Sequence, residues 1–473
     1  MTRLLARALL GAAFACTALA AHAVGVTLPA YDDITLDNGV TLLLMRKADV
    51  PLVAARIAVR GGALADAAGK EGTASQLAEL LGKGAGKRDA RAFAEAIDGA
   101  GGELRFGASR EALVADASFL ADDTGLMLDL LADAFLHPTL SLAEFEKSRT
   151  RAVQSIAAAK DGDPRGLIGS YAQAWLFRDH PYGRPEGGDE ASLAALTLAD
   201  LRAYYTAYVG ADRAVIAIVG DFDPASMRKA VEQRFGAWGK ATGRLPAVPP
   251  KLRETGRRVL LVDKPGATQT YFWVGNVGAA VDDPARAAQD LVQTVFGGRF
   301  TSMLNTELRV KSGLTYGARA SIERLARPGA AGFSSFTRTD ATAQALDLAF
   351  DTVDRLHAEG IADDMQASAK RYVLGQFAPD YETADQLAGA LASLHIDGLG
   401  RDAIDGYGER IERATAADIA AARSVFPTRD DSLLVVIGDA SKIGDAIGKY
   451  GPVTKIALSD PGFGPGPTGA VTP

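Results

Sequence analysis

Two kinds of hydrophobic pattern alternate along this chain. Short, nearly continuous apolar runs occur at residues 41–46, 52–60, 214–219 and 433–437, each bounded by Gly, Asp or charged residues. Runs of this length predict strands, and two of them, at 214–219 and 433–437, are followed by Gly-Asp. Between them lie longer stretches with helical spacing, which predict helices near 72–82, 89–100, 122–136, 141–160 and 164–176. In the second of these, Ala90, Phe93, Ala94 and Ile97 follow i, i+3, i+4, i+7 and are expected to form the buried stripe. Runs of helices between grouped strands predict an α+β class, with layers rather than a regular βαβ alternation.

The pattern also repeats. Thr197-Leu-Ala-Asp-Leu201 opens a helix that leads to the strand Ala214–Val219 and then Gly220-Asp221. Thr415-Ala-Ala-Asp-Ile419 opens a second helix leading to Leu433–Ile437 and then Gly438-Asp439. Thr precedes Gly by 23 residues in both copies, an offset of 218. In each copy the Thr is a good N-cap and the Asp complements the helix dipole. Leu43-Leu44-Met45-Arg46-Lys47 and Leu260-Leu261-Val262-Asp263-Lys264 match at an offset of 217. Two separate stretches with nearly the same offset indicate a duplicated unit, at 24–238 and 257–459. Residues 239–256, rich in Pro, Gly and charge, are expected to be an exposed linker. The Gly/Pro-rich residues 460–473 are expected to be a disordered tail.

The N-terminus reads as an export signal at residues 1–23. Arg3 and Arg7 precede an apolar run from Ala8 to Ala20, and Ala21-His22-Ala23 offers a cleavage site after Ala23. The run is shorter than the roughly 20 residues needed to span a membrane. Cys16, the single cysteine, lies within it, but Ala-Phe-Ala at 13–15 lacks the large aliphatic residue of a lipidation signal. The expected location is therefore the periplasm, with the mature chain free of cysteine. Cleavage would leave 49 basic and 58 acidic residues, a charge of −9, and four histidines: His137, His180, His357 and His395. This acidic balance argues against a nucleic-acid binder. The histidines are widely spaced and read as structural or surface residues. Gly82-Lys-Gly-Ala-Gly-Lys87 lacks the spacing of a phosphate loop, since Arg88 follows its lysine.

Several segments resemble one family. Gly72-Thr-Ala-Ser-Gln-Leu-Ala-Glu-Leu-Leu-Gly-Lys-Gly84 is similar to the helix of the pitrilysin/insulinase zinc peptidases that carries His-x-x-Glu-His. His180-Pro-Tyr-Gly-Arg-Pro185, Gly297-Gly298-Arg-Phe-Thr-Ser-Met-Leu-Asn-Thr-Glu-Leu-Arg309 and Gly313-Leu-Thr-Tyr316-Gly also resemble family segments. The resemblance covers about residues 32–450. It implies two duplicated α/β-sandwich domains, each a mostly antiparallel sheet flanked by helices, facing each other across a peptide chamber.

A helix binds zinc through two His at i and i+4, with the intervening Glu activating the bound water. Aligned on Gly72 and Gly84, these family positions fall on Ser75, Ala78 and Glu79, and the third ligand falls near Ser155. None keeps the family's residue, so the resemblance implies a degenerate site and no zinc bound by this chain. Arg309 and Tyr316 match an Arg/Tyr pair with which the family holds substrate in its non-zinc half. Both side chains can donate to a peptide carbonyl. Without the resemblance, Arg309 reads as a surface helix residue and Tyr316 as a core strand residue. The combination implies the non-catalytic, substrate-binding subunit of a heterodimeric peptidase, whose partner subunit carries zinc. The alternative is a stand-alone periplasmic peptide-binding or assembly protein derived from a peptidase. A peptidase with a rebuilt metal site is a weaker third reading.

Overall fold

The structure, a computed structural model, describes residues 25–465. The export signal, Cys16, His22 and the cleavage point lie outside these residues, as does the tail from 466. The first unit contributes strands β1 (Asp32–Thr35), β2 (Thr41–Arg46), β3 (Leu52–Arg60), β4 (Glu103–Ala108), β5 (Ala112–Leu120) and β6 (Ala214–Gly220). They form one sheet in the order β1-β2-β6-β3-β5-β4. The second unit contributes β7 (Arg258–Asp263), β8 (Gln269–Val277), β9 (Ala318–Arg324), β10 (Pro328–Arg338), β11 (Leu433–Gly438) and β12 (Val453–Ala457). Its order is β12-β7-β11-β8-β10-β9, the same layout.

The duplication extends to strand direction. Strand β6 runs parallel to β2 and antiparallel to β3, and β11 runs parallel to β7 and antiparallel to β8. Only one edge differs: β1 closes the first sheet antiparallel to β2, whereas β12 closes the second parallel to β7. The repeated Thr-x-x-Asp signal forms a reciprocal cap in both copies. Asp200 N–H donates to Thr197 Oγ1 at 3.3 Å and Thr197 N–H donates to the Asp200 carboxylate at 2.8 Å. The Thr415–Asp418 distances are 3.2 and 2.9 Å. Each cap satisfies backbone donors at the helix start that would otherwise lack partners.

The central strands are apolar throughout because both sheet faces are covered. One face of each sheet packs on its own unit's helices. The other is covered by a helix from the opposite unit. Four helices matter below: α1 (Thr73–Leu81), α2 (Leu142–Asp161), α3 (Ile168–Phe177) and α4 (Ala384–Asp397). Tyr171, Leu176 and Phe177 of α3 pack on Leu260, Val262, Trp273 and Val435 of the second sheet. Leu387, Leu391 and Leu394 of α4 pack on Leu43, Met45, Val215 and Val219 of the first. At about 25 cal/mol per Å² of apolar area, these reciprocal faces supply a large part of the hydrophobic stabilisation between units.

Two expectations change. In the helix Ala90–Gly99 only Phe93 is fully buried and Ala94 is exposed; the face toward the core is Phe93, Ala96, Ile97 and Ala100. Alanines at 90, 92, 94 and 96 are compatible with several registers, so Phe93 decides the orientation. The tail assigned to disorder from 460 is ordered to 465. Phe463 is 3 % exposed and meets Tyr171 edge-on at 5.2 Å, while Trp175 Nε1 donates to the Phe463 carbonyl at 3.0 Å. One aromatic ring outweighs the flexibility of its Gly/Pro neighbours. Residues 239–256 have no regular structure, but Pro249 O is bonded to His180 Nε2 at 2.9 Å, which ties this stretch to the first unit.

Candidate functional site

Helix α1 is fixed at its start by unusual local chemistry. Gly72 adopts φ +91°, and a Cβ there would lie 2.8 Å from Gly187 O, so glycine is required. The buried Asp66 carboxylate accepts from Gly72 N at 2.8 Å and Ala74 N at 2.9 Å. Burial raises its carboxyl to about 7, against the two backbone donors that favour the charged form. So anchored, α1 packs beside α2. Ser75 and Ser155, one from each helix, line the same cavity. Ala78 is 1 % exposed and faces the core. Glu79 pairs with Lys83 at 3.2 Å and with Arg151 of α2 at 3.5 Å.

The cavity, of about 740 Å³, lies between the two units. Ser75, Gln76 and Ser155 line it from the first unit, and Trp273, Ser321 and Glu323 from the second. Arg110, 5 % exposed, organises its floor. It donates to Tyr182 O at 2.9 Å and Arg184 O at 3.1 Å, and pairs with Glu186 at 3.0 Å and Glu323 at 3.9 Å. Desolvation raises the Glu186 carboxyl, while the Arg110 charge opposes that rise. Gln173 Nε2 donates to Glu323 at 2.5 Å, joining the units across the cavity. Oε1 of Gln76 and of Gln173 are buried without a protein partner, so the wall offers acceptors to a bound donor.

The recurrent 180–185 segment builds part of this wall. Tyr182 Oη donates to Glu111 at 2.8 Å and accepts from Arg327 N at 3.0 Å, bridging the units. His180 Nδ1 accepts from Tyr182 N at 3.1 Å, which leaves Nε2 as the donor to Pro249 O and the ring neutral. Burial lowers its pKa accordingly. His357 likewise bonds Pro427 O, at 3.1 Å. Neither of these imidazoles lines the cavity.

Arg309 and Tyr316 come together. A groove of about 570 Å³ shares Ile168 and Ser334 with the cavity and includes Arg309. A further hollow of about 410 Å³ includes both Arg309 and Tyr316. The three form one trough running from the degenerate positions along the second sheet. Arg309 sits in a wide π-type turn at Thr306–Lys311. Such turns insert an extra residue and re-aim a side chain. Arg309 is exposed, its guanidinium 4.8 Å over the Phe300 ring. Tyr316 is 81 % exposed and is not the core strand residue its sequence context suggested. Among the described residues neither side chain has an ion-pair or hydrogen-bond partner, so both are free to donate.

The known proteins this chain resembles agree on one ancestry. Residues 41–189 match the family described as "Insulinase (Peptidase family M16)", and residues 195–372 match "Peptidase M16 inactive domain". The chain belongs to the insulinase (M16) peptidase family. An uncharacterized zinc protease of Mycobacterium leprae is 31% identical over 298 residues, covering 63% of this chain and 66% of that protein. One of Mycobacterium bovis is 28% identical over 364 residues, covering 76% and 82%. A solved peptidase M16 inactive domain from Pseudomonas fluorescens superposes with a TM-score of 0.81 at 23% identity, covering 87% of this chain and 98% of that one. A protease from Helicobacter pylori gives 0.79 at 18% identity, covering 87% and 100%. These two superpositions establish the shared fold.

This M16 chain lacks the family's His-x-x-Glu-His motif. Its residues do not fit zinc. Two serine hydroxyls, a buried methyl and a carboxylate already shared by Lys83 and Arg151 are a poor ligand set. No group of three or more His, Cys, Asp or Glu able to hold a metal occurs among the described residues. Nor is any described helix long and apolar enough to cross a membrane. Sequence reasoning missed Arg110, Glu186, Glu323 and the two glutamines. They lie far apart in the chain, and Arg110 sits beside Glu111 in the turn between β4 and β5, where nothing in the local pattern marks it as buried.

Proposed function

We propose that this chain is the non-catalytic, substrate-binding subunit of a periplasmic zinc metallopeptidase complex that cleaves peptides. A homologous partner subunit supplies the zinc. The observation that carries this reading is the trough, which among the described residues keeps Arg309 and Tyr316 exposed and unpaired while its other end lacks metal ligands. A guanidinium and a phenol held there can donate to a peptide carbonyl, and near the scissile bond such donors favour the developing oxyanion. The matched inactive-domain description over 195–372 supports the same division of labour. Tyr316 and Arg309 then position the peptide, and the partner's metal performs the hydrolysis.

Co-expression with a homologue that bears His-x-x-Glu-His, followed by peptide hydrolysis by each chain and by the mixture, tests the proposal. Activity confined to the mixture is expected. A partner equally active alone, or no stable complex, would instead support a stand-alone binding protein.

A further inference from the structure

The groove around Arg309 carries one sign of charge. Four guanidiniums line it, Arg165, Arg299, Arg309 and Arg319, and no carboxylate does. The adjoining hollow adds Arg338, again with no carboxylate in its wall. In a chain with a net charge of −7, composition does not produce such a surface. Arg324, on the same strand as Arg319 but outside the groove, meets Asp290 at 2.8 Å. Among the described residues Arg165 has only Asp163 at 3.9 Å, and Arg338, in the adjoining hollow, has the exposed Asp340 at 3.1 Å. Arg299 donates to Ser368 Oγ at 2.9 Å, and its Nε is buried without a partner. No carboxylate among the described residues pairs with Arg299, Arg309 or Arg319.

The same surface is aromatic. Arg165 lies 4.2 Å over Phe336, and Arg299 5.9 Å over Tyr372. These contacts hold the guanidinium planes against the rings. Phe300 is 58 % exposed and Tyr372 40 %, unusual for rings of a solvated surface.

We infer that this groove selects an acidic peptide segment, with carboxylates taken by the arginine forks and a neighbouring apolar or aromatic side chain laid on Phe300 and Tyr372. This rests on the peptide-binding reading of the trough. Arg–carboxylate pairing is bidentate and geometrically specific, and the missing partner in the groove is a carboxylate. A polynucleotide could use the same chemistry, but the whole molecule's negative charge repels a long polyanion, whereas a short peptide brings few charges.

The test measures fluorescence anisotropy on the full chain with three labelled peptides of one length and aromatic content, bearing Glu, Gln or Lys at the variable positions. The Glu peptide is expected to bind about tenfold or more tighter than the Lys peptide. That margin should shrink as salt rises from about 0.05 to 0.5 M, because screening shortens the reach of the charges. Arg165→Gln and Arg319→Gln alter exposed side chains and should leave the melting temperature unchanged. Each should weaken only the Glu peptide, by about three- to tenfold. Equal binding of all three peptides would overturn acidic selection and leave peptide binding standing. Binding of none would overturn both. Displacement of the Glu peptide by a single-stranded oligonucleotide at lower concentration than by unlabelled peptide would overturn it in favour of nucleic acid.

Discussion

Replacing Arg110 with methionine should destabilise the fold substantially, because this cation organises the junction between units. Methionine keeps an apolar stem of similar length and removes only the guanidinium. The change deletes donors to the Tyr182 and Arg184 carbonyls and leaves Glu186 and Glu323 without their cation. Breaking a buried pair by removing one partner costs about 3–5 kcal/mol. Glu186 is 38 % exposed along its side chain, so water screens part of the loss and about 3 kcal/mol is the expected value. Equilibrium urea unfolding of Arg110→Met, Glu186→Gln and the double variant measures it. Glu186→Gln alone should cost little, and combined with Arg110→Met it should recover about 1 kcal/mol or more. The pH dependence follows from sign. Desolvation raises the Glu186 carboxyl in the fold, so its ionised form is the disfavoured one and stability falls as pH rises through its titration. Arg110 limits that fall. Its removal should therefore cost more at pH 8 than at pH 5. A variant within about 0.5 kcal/mol of the parent, or a cost unaffected by both pH and Glu186→Gln, would refute the assignment.

Asp66→Asn should flatten the pH dependence of the melting temperature between pH 4 and 7. Burial holds the folded carboxyl at about 7, above its ordinary value, so the native state binds more protons in that window. The parent should accordingly lose up to about 4 kcal/mol of stability as pH rises through it. In the proposed peptidase assembly, Arg309→Ala and Tyr316→Phe should each lower kcat/KM about tenfold or more while leaving stability within about 0.5 kcal/mol, since neither side chain has an ion-pair or hydrogen-bond partner among the described residues; unchanged turnover in both would remove their substrate role. Metal analysis of the purified chain should find zinc well below one per molecule, and a chelator should leave its melting temperature unchanged. Stoichiometric zinc would show that the 75–79 helix has acquired ligands from elsewhere.

The repeat was legible because local signals did the work in both copies. A reciprocal Thr-x-x-Asp cap and a fully apolar strand are each dictated within a few residues, so Thr197–Gly220 and Thr415–Gly438 carry their structure in their spelling. The family motifs likewise located Arg309, Tyr316 and the degenerate helix. What the pattern could not supply was partner choice. An apolar strand such as Val215–Val219 states that both faces are covered, but not that the cover for one face comes from Leu387 and Leu391, more than 160 residues later. Glycine and proline spoke for disorder at the tail, and only the hole beside Tyr171 made Phe463 a core residue.

The exchange of helices bears directly on how the trough works. Helix α3 begins at Ile168, which lines both the cavity and the Arg309 groove, and its far end is pinned against the second sheet through Phe177. A wall of the trough thus belongs in sequence to the unit with the degenerate zinc helix and in packing to the unit with Arg309. Gln173 on the same helix reaches Glu323, which also faces Arg110. Relative movement of the units would have to break an apolar interface and the charge cluster around the buried Arg110 together. The physical consequence is a trough whose two ends hold a fixed spacing. Such preorganisation is what a subunit needs if it contributes position rather than chemistry, since misplacing a bound peptide by about 1 Å can cost a hundredfold in rate. Arg165 lies just before α3 and faces the same groove, so the charge that would select a substrate and the scaffold that would align it rest on one element.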